Sequence, residues 1–140
     1  MKPTVIAWLF AATLLADPIT SAFAAESYLC VADKGAGFSF EKNTKTWNPA
    51  KIKVAGKKYI MRKVGKDWTW TDFGETPDGL EVCENINQAG LINCHGLVDV
   101  HMNSSNLRYL LIYDIGYVYD GKDQEGSNTP YMEIGSCSPL

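Results

Sequence analysis

Histidine is scarce in this chain, and the motifs that organise catalysis around it are missing. There are two, His95 and His101. Nowhere does an H-E-x-x-H, a G-x-S-x-G or a phosphate-cradling glycine loop occur. Basic charge is not in excess either. Thirteen Lys and Arg face sixteen Asp and Glu, a formal net charge of −3. That balance argues against a nucleic-acid partner, which needs a basic face for the phosphates. Apolar spacing that holds to a helical period is poor throughout. After residue 24 nothing is long and apolar enough to span a membrane as a helix.

The one long apolar run stands at the start. Lys2 gives a positive beginning, residues 5–16 read VIAWLFAATLLA, and Asp17 and Pro18 break the run. SAFAA follows, with Ala22 and Ala24 at the small-residue positions of an A-x-A cleavage site. This is the pattern of a secretory signal peptide over residues 1–24, leaving one domain over 25–140. Twelve apolar residues rise roughly 18 Å as a helix, short of a bilayer core of about 30 Å. A lipoprotein anchor at Cys30 fits less well, because Tyr28 and Leu29 occupy places where small residues are needed. The expected location is the periplasm or the medium.

Export decides the chemistry of the four cysteines. In an oxidising compartment an even count reads as disulfides. Of the three possible pairings, Cys83–Cys94 with Cys30–Cys137 is preferred. The first closes a local loop containing Asn85, Asn87 and Gly90, all turn formers. The second staples the start of the mature chain to its end. A metal site of Cys83, Cys94 and His95 lacks any C-x-x-C knuckle and fits no common zinc spacing. Paired sulfurs are also not thiolates, which leaves no catalytic cysteine.

The rest of the mature chain is short runs of β-branched and aromatic residues between turn residues. SYLCVA and GFSFEK stand either side of DKGAG, which reads as a turn. KIKVAGKKYIMRKV reads as two strands around a tight hairpin at Ala55 and Gly56. In LVDVHM, Val98, Val100 and Met102 take one side and Asp99 and His101 the other. LRYLLIYDIGYVYDG reads as a central buried strand with a bend at residues 114–116. The best helix candidate, TPDGLEVCENINQAG, is interrupted early by Gly79. The expected fold is all-β, a compact antiparallel barrel or sandwich with at most one short helix and two disulfides. An α+β fold is the alternative.

Candidate functional residues are few. Trp68 and Trp70 share one strand face in DWTWTDF, as a stacking platform for sugar rings or as core. Lys51, Lys53, Lys58 and Arg62 make a lysine-rich hairpin, either a guarded strand edge or a patch for an acidic partner. Asp99 and His101 can hold a metal or orient a base, but such a pair is more often an ordinary polar face. Asp120, Asp123 and Glu125 offer oxygens for calcium, yet Lys122 takes a ligand place. Glu75 with Asp78, or Glu81 with Glu84, supplies a carboxylate pair for glycoside hydrolysis. Asn103 begins a glycosylation acceptor in form, NSS. Nothing points to a cofactor, a catalytic residue or a metal ligand.

YLCVADKGAGFSF, WNPAKIKVAGKKYIMRK and PYMEIGSC together resemble a group of small exported bacterial proteins. That resemblance implies export and no particular activity. A looser one is to periplasmic β-barrel lysozyme inhibitors, carried by YLC, by Lys57-Lys58-Tyr59 and by the late Cys137. It implies a barrel and an inhibitory role. The longer middle section and the Cys83–Cys94 loop depart from that pattern, so no inhibitory residue carries over. The expectation is a non-enzymatic, exported, disulfide-stabilised binding protein for a protein or glycan. A small glycan hydrolase and an inhibitor of a lysozyme-like enzyme are the alternatives.

Overall fold

The structure is a computed structural model in which residues 26–76, 82–119, 126 and 128–140 are described. The signal-peptide reading of 1–24 therefore lies outside the described residues, as do Asp78, Glu81, Asp120, Asp123 and Glu125. The fold is nearly all β. Among the described residues nine strands run β1 (Ser27–Glu41), β2 (Thr46–Ile52), β3 (Lys58–Val64), β4 (Asp67–Asp72), β5 (Val82–Cys83), β6 (Leu91–His95), β7 (Asp99–Asn103), β8 (Arg108–Tyr113) and β9 (Tyr131–Pro139). One helix occurs among the described residues, α1 (Ile115–Tyr119), and it forms the bend after β8.

All pairings are antiparallel, in the order β2-β1-β3-β4-β5-β6-β7-β8-β9, and β1 also pairs with β9. The sheet thus returns on itself as a barrel. Closure is covalent, because Cys30 and Cys137 are opposite residues of β1 and β9 and are joined by a disulfide. Cys83 and Cys94 are likewise opposite each other in β5 and β6 and are joined. These are the pairings preferred from the sequence. Two disulfides fit an oxidising, non-cytosolic compartment. No helix among the described residues is long and apolar enough to cross a membrane.

Two local readings are corrected. DKGAG is not a turn. SYLCVA and GFSFE belong to one strand of 15 residues, bulged between Ala32 and Lys34. Its glycines answer to crowding rather than to a turn. A Cβ on Gly35 would stand 2.7 Å from Val54 Cγ1, and one on Gly37 would run into the Pro130 carbonyl oxygen. Nor do β2 and β3 form a hairpin around Ala55 and Gly56. The chain does turn there, with Lys57 N donating to Val54 O at 3.0 Å. Both strands then pair with β1, β2 along residues 35–41 and β3 along residues 27–31. One long partner lets them lie end to end on the same edge. The helix candidate fails in its described part, where residues 82–83 are strand and residues 84–87 are irregular.

The core fills the barrel. Alternation sends Tyr28 and Cys30, Tyr59 and Met61, Trp68 and Trp70, Ile92 and Cys94, Val100 and Met102, and Tyr109 and Leu111 inward. Tyr59 and Trp70 stack at 4.7 Å between centroids, and Trp70 and Tyr109 lie 5.2 Å apart. Among the described residues one charged side chain shares this interior: Glu133 of β9 is 0% exposed.

Candidate functional site: a cavity at the barrel end and the acid behind it

At the end where β3 and β9 begin and β4 and β8 finish, the barrel holds a cavity of about 690 Å³. Tyr59, Trp70, Leu111, Tyr113 and Tyr131 contribute apolar and aromatic wall, and Lys57, Lys58, Asp72 and Glu75 contribute charge. Leu97 and Val98, between β6 and β7, reach the same opening. A volume in this range suits a small ligand, and the lining is polar and apolar in nearly equal measure.

Behind the wall lies Glu133. Tyr109 donates its hydroxyl to Oε1 at 2.7 Å, and Tyr59 donates to Oε2 at 3.2 Å. Lys57 Nζ stands 3.7 Å from Oε2. The same ammonium donates to Tyr131 Oη at 3.2 Å and lies 4.8 Å from the centroid of that ring. A carboxylate taken out of water is expensive unless its oxygens are met, and here each oxygen has a donor.

The register explains why these groups meet. Residues 131, 133, 135 and 137 share one face of β9, and Cys137 is held inside by its disulfide. Parity then forces Glu133 inward. Gly135 makes room beside it, since a Cβ there would stand 2.5 Å from Tyr109 Cε1. Lys57 is placed by its backbone: Ala32 N donates to Lys57 O at 3.1 Å, beside the bulge in β1.

The electrostatics follow from burial. Burial comes first in pushing the Tyr59 and Tyr109 phenols far above the ordinary tyrosine range, and the adjoining Glu133 carboxylate adds to it. For Lys57, burial works against the charged form. The hydrogen bond to Tyr131 and the charges of Tyr131, Glu133 and Asp72 outweigh it, so its pKa is raised.

The residues singled out from sequence fare differently. Trp68 and Trp70 are 4% and 3% exposed, so the open stacking platform is corrected: both are core. Trp68 stacks on Tyr28 at 5.9 Å, whereas Trp70 shows an edge to the cavity. The reason is that the inner face of β4 is the inside of a barrel rather than one side of an open sheet. Lys51, Lys53, Lys58 and Arg62 are spread out. Lys51 and Lys53 lie on and just beyond β2, alongside the far half of β1. Lys58 stands at the cavity with Nζ 5.9 Å from the Phe73 ring centroid. Arg62 is half-buried, four residues on along β3 and roughly 13 Å away.

The two histidines sit on the outer face. His101 Nδ1 bonds Asn93 Oδ1 at 2.9 Å rather than Asp99, and Asp99 instead bonds His95 Nδ1 at 2.8 Å. No group of three His, Cys, Asp or Glu able to hold a metal occurs among the described residues. Asn103 accepts from Ser105 N at 2.8 Å and so organises its own turn.

The central group, Glu133 with Tyr109, Tyr131 and Lys57, was not picked out from sequence. Its signal was present in PYMEIGSC, where Glu133 stands four residues before a disulfide cysteine and therefore on the same strand face. No family model, no curated protein and no solved structure matches the chain.

Proposed function

We propose that this chain is an exported binding protein, working in the periplasm or outside the cell, that takes a small ligand or a partner's side chain into the cavity at the barrel end. The observation that carries this reading is the cavity itself, about 690 Å³ and walled by Tyr59, Trp70, Tyr113 and Tyr131. The leader-like residues 1–24 and the two disulfides support export. The barrel is stapled shut beside the cavity, so the site is built before a ligand arrives, which lowers the ordering cost of binding. Glu133 supports binding over reaction, because both of its oxygens are engaged by neighbouring donors.

The test is native mass spectrometry of the protein purified from its own source, with Trp70 fluorescence as the cavity reporter. A bound mass whose removal changes the emission of wild type but not of Trp70→Phe is expected. Ligand-free protein, together with extracts that perturb only residues away from the cavity, would overturn the reading.

A glycan hydrolase is a second reading, favoured by the two carboxylates Asp72 and Glu75 at the cavity. Release of reducing ends from cell-wall or plant glycans, abolished in Asp72→Asn or Glu75→Gln, would distinguish it. An inhibitor of a lysozyme-like enzyme would use a protruding loop, Asn85 to Gly90 or Asp120 to Thr129, the second mostly outside the described residues, and a pull-down against lysozymes tests that.

A further inference from the structure

Lys57 already does inside this chain what a bound ligand would do. Its ammonium rests on the Tyr131 ring and hydroxyl and faces Glu133. A carboxylate backed by aromatic faces is the chemistry that recognises an organic ammonium. The two charges differ in standing: the Glu133 side chain is 0% exposed and that of Lys57 40%. The acid belongs to the wall of the barrel and the base to its mouth. The Lys57 backbone is tied down through Val54 O and Ala32 N, so only the side chain is free to leave.

The surroundings favour a cation. Asp72, Glu75 and Glu133 stand against Lys57 and Lys58, an excess of one negative charge that becomes two when Lys57 swings out.

We propose that the cavity is a site for a primary alkylammonium, and that Lys57 is its built-in competitor, displaced into solvent when the ligand's ammonium takes its place between Tyr131 and Glu133. This rests on the ligand-binding reading above and names the ligand's chemical class. Lys58 stays at the rim, where Phe73 is its aromatic partner.

The experiment is an NMR titration of the oxidised mature protein with n-butylammonium chloride, with n-butanol and sodium butyrate as neutral and anionic probes. A short peptide carrying one lysine is run in parallel. Wild type is compared with Lys57→Met, which removes the competitor at a partly exposed position. If Lys57 fills the site nine-tenths of the time, its removal tightens n-butylammonium binding about tenfold. Tyr131→Phe and Glu133→Gln, each added to Lys57→Met, should weaken it again. Tyr131→Phe serves where Glu133→Gln fails to fold. Preference for the free amine assigns a small-molecule ligand, and preference for the peptide assigns a partner's lysine; both support the proposal.

Equal affinity in wild type and Lys57→Met would overturn it, as would no loss on adding Tyr131→Phe, or equal binding of n-butanol or butyrate. A ligand without a cationic group, recovered bound in the cavity by native mass spectrometry, would sink the ammonium assignment while leaving the binding reading intact.

Discussion

Replacing Tyr109 by phenylalanine removes one oxygen atom and tests how the buried acid is held. The bond at stake is 2.7 Å, from Tyr109 Oη to Glu133 Oε1, inside a fully buried site. A hydrogen bond to a charged group contributes about 1.5–3 kcal/mol. The upper half of that range applies here, because Oε1 is left with no other donor among the described residues. Tyr59→Phe removes a longer bond of 3.2 Å to Oε2, and that oxygen keeps Lys57 at 3.7 Å. Its cost should be the smaller, about 1 kcal/mol. The assay is urea unfolding of the oxidised protein, followed by the buried Trp68 and Trp70. With a slope of about 1–3 kcal/mol per molar urea, Tyr109→Phe should lower the midpoint by roughly 1–2 M at unchanged slope. In a Glu133→Gln background the penalty should shrink by at least about 1 kcal/mol, since a neutral amide loses less with the phenol. Equal costs for the two phenols, or a coupling within about 0.3–0.5 kcal/mol of zero, would refute this account of the network.

Three further predictions use the same denaturation assay. Cys30–Cys137 spans 107 residues and Cys83–Cys94 spans 11, so removing the first pair as serines should cost about 2 kcal/mol more than removing the second on the chain-entropy model. Gly135→Ala should cost about 1–3 kcal/mol, because its methyl would press on the Tyr109 ring and draw the phenol from Glu133. Tyr59 and Tyr109 have raised pKa values when folded, so above pH about 10 the unfolded chain loses protons that the folded chain keeps. Stability should hold below that pH and then fall by about 1.4 kcal/mol per pH unit for each phenol. A flat profile between pH 10 and 11, or phenolate absorbance from both residues before unfolding, would contradict it.

Much of the fold could be read from residue order because the relevant physics is local. Alternation in LVDVHM places Val100 and Met102 inside, and the structure buries both. The positions of Cys30 and Cys137 joined the start of the domain to its end, which suited a barrel while a sandwich stayed open. The misreadings share a cause. DKGAG looked like a turn because glycine permits one, but Gly35 and Gly37 are required by Val54 and Pro130, which approach from distant parts of the chain. KIKVAGKKYIMRKV looked like a hairpin because nothing local reveals that β1 is long enough to pair with both halves.

The candidate site was less legible. Tyr59 and Lys57 stand 74 residues from the acid and the phenol they meet, and no periodicity encodes that distance. The tryptophans of β4 show the same limit, since alternation puts them on one face without saying whether that face looks outward or in.

Strand-forming runs, an even set of sulfurs and a leader-like start are properties of neighbouring residues, and they determined an all-β, cross-linked body. Which side of β4 became interior, and which lysine came to rest against Glu133, was decided only when β9 closed on β1. Those contacts depend on the register and curvature of the finished barrel, and they exist only once strands from opposite ends of the chain lie side by side.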